Sequence, residues 1–463
     1  MNHRVRAGLS FAVMAVLLAF VGFSQSWSVA LAILNLCLIS SIMALGVNIQ
    51  WGYAGLFNVG IMGFAALGGA AAVIVSKAPV TEAWRAGGGY LLVALLVSIG
   101  TLAAVVFLHR RLPRGPATAL AITMTIVAGY FAARFFYEPG VSAIEAVNPA
   151  KTGYLGGLGL PIILSWAVGG VFAAGAAWIV GRVALGLRSD YFAIATLGIS
   201  EIIIALMKHE DWLTRGVKNV TGLPRPVPYE VDLQSSEWFI SMIESLNGGA
   251  LSTLSGDARA DALHKLVIDG SSIFVKLCYA GLFLAVLALI LGLSMRALHS
   301  PWGRMMRAIR DNEIAASAMG KNVTARHRQV FIIGSAVVGI AGAMLTTLDG
   351  QFTPGTYHPL RFTFLIWVMV IVGGSGNNLG SVLGAFVIWF FWIEAEPLGL
   401  WLIDTGTAWM DEDSALRNHL LESAQHMRLL TMGVILLLVM RFSPGGILPE
   451  TVRHTKSDAK PPD

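Results

Sequence analysis

The chain alternates long apolar runs with short polar joints. The runs fall at residues 7–24, 28–49, 53–76, 89–108, 117–137, 160–182, 190–207, 274–296, 329–348, 362–375, 379–396 and 428–441. A helix of about 20 residues crosses the hydrocarbon core of a bilayer, and shorter runs suit half-helices. The pattern therefore predicts an all-α polytopic transmembrane bundle of about 10–12 spans, with 190–207, 362–375 and 428–441 as the short ones. Two polar stretches break the rhythm, 208–273 and 397–427. They divide the chain into N-terminal helices (1–207), an insertion (208–273), C-terminal helices (274–449, enclosing a charged joint at 297–328) and a tail (450–463). Trp238 to Leu246 and Leu416 to Met427 read as amphipathic surface helices.

Composition agrees. Hydrophobic residues make up 56% of the 463 and charged residues only 13%, against about 25% charged in a soluble domain. Mean hydropathy is +0.69. The net charge of +5 is concentrated in the joints: His109-Arg110-Arg111-Leu112-Pro113-Arg114, Arg182 to Arg188, the cluster Arg304, Arg307, Arg310, Lys321, Arg326 and Arg328, and Arg441, Arg453, His454, Lys456 and Lys460 near the end. With the basic N-terminus inside, alternation puts every cluster on the cytoplasmic side, predicting an even number of spans, both termini cytoplasmic, and both polar insertions outside. Met1 to Phe23 has the form of a signal peptide and is read as an uncleaved first span. No basic-aromatic module points to nucleic acid. Cys37 and Cys278 are too few and too far apart for a disulfide framework or a zinc site, and no His, Asp or Cys cluster has metal spacing.

Several residues stand out within this frame. Gly52, Gly55, Gly60, Gly63, Gly68 and Gly69 crowd one run, which predicts close helix packing or a broken helix beside a pathway. The glycine-rich stretches 52–70 and 373–384 faintly echo each other, without a repeat of 20–50 residues. Glu201 is the main ionisable residue within an apolar run and so a pathway candidate by default. Thr196, Asn48, Asn58, Asn377 and Asn378 are candidates for the pathway or for interhelical hydrogen bonds. Asp349 and Arg361 read as surface residues at the outer side. In the joint 297–328, Met306, Ile309, Ala316 and Met319 recur at helical spacing, and Gly320 is placed to end a helix. Such a short charged helix, with small residues at Ala315, Ala316 and Ala318, suits a groove on a soluble partner. The chain has no GxxxxGK[ST], so it cannot cradle ATP phosphates itself.

The stretch Glu313-Ile314-Ala315-Ala316-Ser317-Ala318-Met319-Gly320 resembles the coupling motif of ABC importer permeases, a Glu-Ala-Ala core followed by glycine. Its setting, Ser300-Pro301-Trp302-Gly303-Arg304 through Arg307-Ala308-Ile309-Arg310-Asp311-Asn312-Glu313, is similar to the branched-chain amino acid permease family, in its LivM-like branch. Gly52-Tyr53-Ala54-Gly55-Leu56, Tyr191 to Gly198 with Glu201-Ile202, Val372 to Gly376 with Leu379 to Ala385, and Phe442 to Ile447 resemble further motifs of that family. The resemblance covers about 40–225 and 274–449. It implies a bacterial inner-membrane subunit for ATP-driven uptake of branched-chain amino acids, itself not an enzyme and without a cofactor. It also implies partners: a second permease subunit, two cytoplasmic ATPase subunits that bind the ATP, and a periplasmic binding protein. Arg307, Asp311, Glu313, Ala315, Ala316 and Gly320 then become the expected ATPase-coupling residues. Asn58-Val59-Gly60-Ile61 and Thr214 to Gly222 depart from the family pattern, and both insertions are long for it. A urea or short-amide importer shares the architecture. A secondary transporter or channel would call for more buried charges and would leave 297–328 unexplained.

Overall fold

A computed structural model describes residues 3–450 apart from 114, 150, 412 and 413. Arg114 and the tail basics Arg453, His454, Lys456 and Lys460 thus lie outside the described residues. The apolar runs form α1 (His3–Ser24), α2 (Trp27–Val47), α3 (Ile61–Ser76), α4 (Thr81–Arg111), α5 (Pro116–Glu145), α6 (Ile163–Ala184), α7 (Ser189–His209) and α8 (Asp257–His299). The charged joint folds as α9 (Pro301–Asp311) and α10 (Glu313–Ala318), followed by α11 (Val323–Asp349), α12 (Pro359–Gly373), α13 (Asn378–Gly406) and α14 (Met427–Phe442). Among the described residues nine helices are long and apolar enough to cross a membrane, and α3 and α12 are shorter apolar helices. The α14 helix passes only together with Ala415–Glu422, from which it bends by 64°.

The central helix is α2, buried along most of its length among α1, α8, α11, α12 and α13. Beside it, α3, α6 and α11 pack closely because small residues let their backbones touch, the usual device where no hydrophobic force drives helices together. Gly68, Gly169 and Gly339 meet at one point. A Cβ on Gly68 would overlap the Gly339 carbonyl, and one on Gly169 would lie 3.0 Å from the Gly68 Cα. By contrast, α4 and α5 pair mainly with each other and stand largely uncovered.

Three boundaries differ from the hydropathy reading. The run 53–76 is not one helix: α2 ends in a π-helical turn, Asn48–Gly52, the backbone is non-helical over 55–60, and α3 starts only at Ile61. Gly55, at φ +69°, takes the left-handed conformation that permits this reversal. The insertion 208–273 is not wholly separate, because α8 begins at Asp257 and runs unbroken into its apolar half. Likewise α13 continues through Pro397 to Gly406. The helix predicted near Trp238 is present as Glu237–Leu246, with Phe239 and Ile243 buried.

Contacts identify two ends of the bundle. At one, Val220–Thr221 of the insertion pairs antiparallel with Gln351–Phe352 after α11, and Lys77 Nζ donates to the Gly222 carbonyl at 2.9 Å. At the other lie the arginine-rich joint and the turn between α12 and α13. Here the chain after α14 is stitched to the end of α12 by Ile447 N–H to Val372 C=O (2.8 Å) and Leu448 N–H to Gly373 C=O (2.9 Å).

Candidate coupling surface and translocation site

The joint 297–328 is an elbow. Pro301 at the first position and the Ser300 cap start α9; Asn312 leaves helical conformation and caps α10 through Ala315 N–H at 2.9 Å. Met306 and Ile309 are buried against the bundle. Sequence spacing puts Ala316 and Met319 on the same apolar face, but the break at Asn312 turns α10 outward. Ile314 and Met319 are 83% and 80% exposed, and Glu313, Ala315 and Gly320 are exposed beside them. Gly320 does end the helix, at φ +75°, with its N–H bonded to Ser317 C=O.

Arg310 links this elbow to the bundle. Its Nη1 donates to the Gly52 carbonyl, at the end of the π turn, and to Glu450 Oε2 at 2.9 Å; its Nε reaches Asp311 at 3.1 Å. Arg307 lies 3.9 Å from the same Glu450. Burial opposes the charge on Arg310, but the Glu450 and Asp311 carboxylates outweigh it and hold the guanidinium's pKa above its ordinary value. A cavity of about 840 Å³ opens here, lined by Arg304, Arg307, Arg310, Asn377 and Glu450 among others.

Next to Gly52 a buried polar network begins. Asn48 Oδ1 accepts from Gly376 N–H at 2.8 Å, Asn48 Nδ2 donates to Asn378 Oδ1 at 3.0 Å, and the Tyr53 hydroxyl donates to the same Asn378 oxygen. Close by, Gln50 Nε2 donates to Phe331 C=O (3.1 Å) and Ser335 Oγ (3.0 Å), while its Oε1 accepts from Asn58 Nδ2 at 2.8 Å. Asn58 Oδ1 accepts the Gly60 N–H, Trp367 Nε1 donates to the Asn58 carbonyl at 3.0 Å, and Thr196 Oγ1 accepts the Val59 N–H at 3.1 Å. These bonds hold a non-helical backbone inside the bundle. Such backbone is tolerated at membrane depth only when buried in protein or beside a water-filled cavity.

That segment borders a groove of about 1010 Å³ between α12, α13 and α14, lined in part by Phe57, Val59 and Trp367. No group of three or more potential metal ligands exists among the described residues.

Residues 29–440 match the family model described as branched-chain amino acid transport system / permease component. The chain belongs to this family. LivM of Escherichia coli K12, a high-affinity branched-chain amino acid transport system permease protein, is 25% identical to this permease over 77% of its length and 72% of the relative's. The probable LivM of Methanocaldococcus jannaschii is 23% identical over 88% and 90%. The xylose transport permease XylH of Escherichia coli K12 shares 28% identity over only 32% and 38%. No solved structure matches.

In the permease, the residues singled out from sequence divide into groups. Asn48, Asn58 and Thr196 sit in the buried network, at 0%, 2% and 2% exposure, and line neither cavity described above. Asn377 caps α13 through Leu379 and Gly380 and faces the arginine-lined cavity. Glu201 is exposed on α7, between Gly198 and Ala205, and among the described residues makes no hydrogen bond or ion pair. Hydropathy and spacing do not single out Gln50, Tyr53, Glu450, Thr363 or the buried Glu394, which accepts from Gln25 Nε2 at 2.8 Å. Gln50, a long amide at the edge of an apolar run, is the one legible signal among them. The others acquire meaning only through partners far away in sequence.

Proposed function

We propose that this chain is a membrane-spanning subunit of an ATP-driven importer of branched-chain amino acids in the bacterial inner membrane. Its partners are a second permease subunit, two ATPase subunits that bind the ATP, and a periplasmic binding protein. Both termini and the elbow 297–328 are cytoplasmic, since the basic joints gather at that end.

The observation that carries this reading is the Arg310 bridge. An elbow whose outer face exposes Glu313, Ile314 and Met319 is fastened at its root to the π turn of the central helix. ATP-driven closure of the ATPases displaces α9–α10. Arg310 passes the displacement to Gly52 and Glu450, and the non-helical segment 55–60 shifts beside the groove. The bundle thus has a two-state element that nucleotide biases. Arg307, Asp311, Glu313, Ala315, Ala316 and Gly320 form the ATPase-facing surface and its root.

The test is uptake of labelled leucine and labelled urea in cells lacking the gene, with and without its restoration. Leucine uptake that is lost and then rescued supports the reading. Loss of urea uptake alone moves the substrate to amides while keeping the architecture, and no change in either removes the substrate assignment.

A further inference from the structure

The groove beside the non-helical segment has two unlike ends. Toward the start of α12 it is rimmed by charge: Arg361, and the ion pair of Arg428 with Glu396. Two arginines against one glutamate leave that rim positive. Arg361 stacks over Trp392, 5.1 Å from the ring centroid, and makes no ion pair among the described residues. Deeper in, the walls become apolar, with Phe57, Trp367 and Val368.

One buried polar side chain lies unanswered along this wall. Thr363, two residues beyond Arg361 on α12, is 1% exposed and lines the groove, yet its Oγ1 has no partner among the described residues. Phe57, exposed in the non-helical stretch, presents an N–H and a C=O that are unpaired among the described residues. Nearly all buried polar groups in folded proteins find partners, so the Thr363 hydroxyl marks where a ligand supplies one.

We propose that this groove is the permease's half of a site for a small zwitterion with an apolar side chain. The carboxylate is taken by Arg361 at the rim, Thr363 Oγ1 and the Phe57 backbone give further hydrogen bonds, and the side chain slides against Phe57 and Trp367. The groove far exceeds one amino acid in volume, so its open side is closed by the second permease subunit. The proposal rests on the amino-acid reading above and deepens it. A helix of the partner filling the whole groove is the rival occupant. It would not call for a positive rim without a paired carboxylate.

The test uses the full complex in proteoliposomes, in a Cys37→Ala, Cys278→Ala background. Arg361→Gln is expected to lower ATP-driven leucine uptake about tenfold, the loss of one charge-assisted contact, while Arg361→Lys retains most of it. Co-purification of the other subunits should be unchanged in both, which separates a lost contact from a lost fold. Phe364→Cys, on the groove wall and 57% exposed, should react with N-ethylmaleimide, and leucine turnover should slow the reaction. Wild-type uptake in Arg361→Gln together with alkylation unaffected by leucine would overturn the site. So would a Phe364→Cys thiol that is closed to reagent in the assembled complex whether or not leucine is present, the signature of a partner helix. A wild-type complex that carries urea but not leucine would instead overturn the functional reading, and the carboxylate contact with it.

Discussion

The Arg310 guanidinium donates to the Gly52 carbonyl, joining residues 258 positions apart and fastening a surface helix to the last turn of the central one. The carbonyl is available because the π turn Asn48–Gly52 and the reversal at Gly55 end the helical ladder there. Arg310→Gln keeps a donor but loses the charge that also engages Glu450. It should cut leucine uptake at least about tenfold, the scale of one charge-assisted contact, while membrane abundance stays close to wild type. Glu450→Gln should have a smaller effect of the same sign, since the Gly52 bond survives. Labelled-leucine uptake normalised to immunoblotted protein measures both.

Glu313 and Gly320 are exposed, so their replacement should spare folding. Gly320→Pro and Glu313→Ala are expected to abolish uptake and leave insertion intact. Gly320 holds φ +75° and donates its N–H to Ser317 C=O; proline, locked near φ −65° and without that N–H, forces the exposed joint to re-route at about 3 kcal/mol, a local change outside the bundle core. Normal uptake by Gly320→Pro would count against the elbow as the ATPase contact.

The three-glycine crossing should tolerate no side chain. Gly339→Leu would push into the Gly169 carbonyl and the Ala173 side chain, overpacking that costs at least about 1–3 kcal/mol. Gly175→Ala, on α6 but with nothing within 4 Å of the added carbon, is the matched control. Thermal melting in detergent should separate them, with Gly339→Leu lower by several degrees or failing to accumulate and Gly175→Ala unchanged.

Asn58→Leu removes the donor to Gln50 and the acceptor for Gly60 N–H, leaving both buried and unpaired at a cost of about 1–3 kcal/mol each. The loss should appear as a lowered melting temperature. Gln50→Leu in the same chain should add less than its separate effect, because the two residues share a bond. Strict additivity in a double-mutant cycle would show that the bond contributes nothing.

Glu201 carries a carboxylate on an exposed face of a membrane span. Facing hydrocarbon there would cost roughly 2.5–3.5 kcal/mol or more. Glu201→Leu should therefore leave the melting temperature of the isolated chain unchanged or raised. In the assembled importer it should weaken co-purification of the second permease subunit, which a pull-down at matched expression reads directly.

Partition into lipid depends on the order of apolar and polar residues alone, and it was enough to set the helices. Each of the twelve apolar runs overlaps a helix, because hydrocarbon forces the backbone to bond within its own segment. Gly320 likewise ends its helix, since that choice is made within one turn of chain. Packing between distant segments settled everything else. The 53–76 run is broken around Asn58 and Gly60 only because Thr196, Gln50 and Trp367, brought from elsewhere, satisfy the backbone and side chains exposed there. Helical spacing buries Met319, yet it is exposed, because Asn312 turns α10 away from the face that Met306 and Ile309 cover. Glu450 and Thr363 are inconspicuous in one dimension, and Arg310 stands out there only as one of a basic cluster. Their roles depend on distances between helices, which hydropathy and spacing do not encode and which the packing of α2 against its neighbours sets.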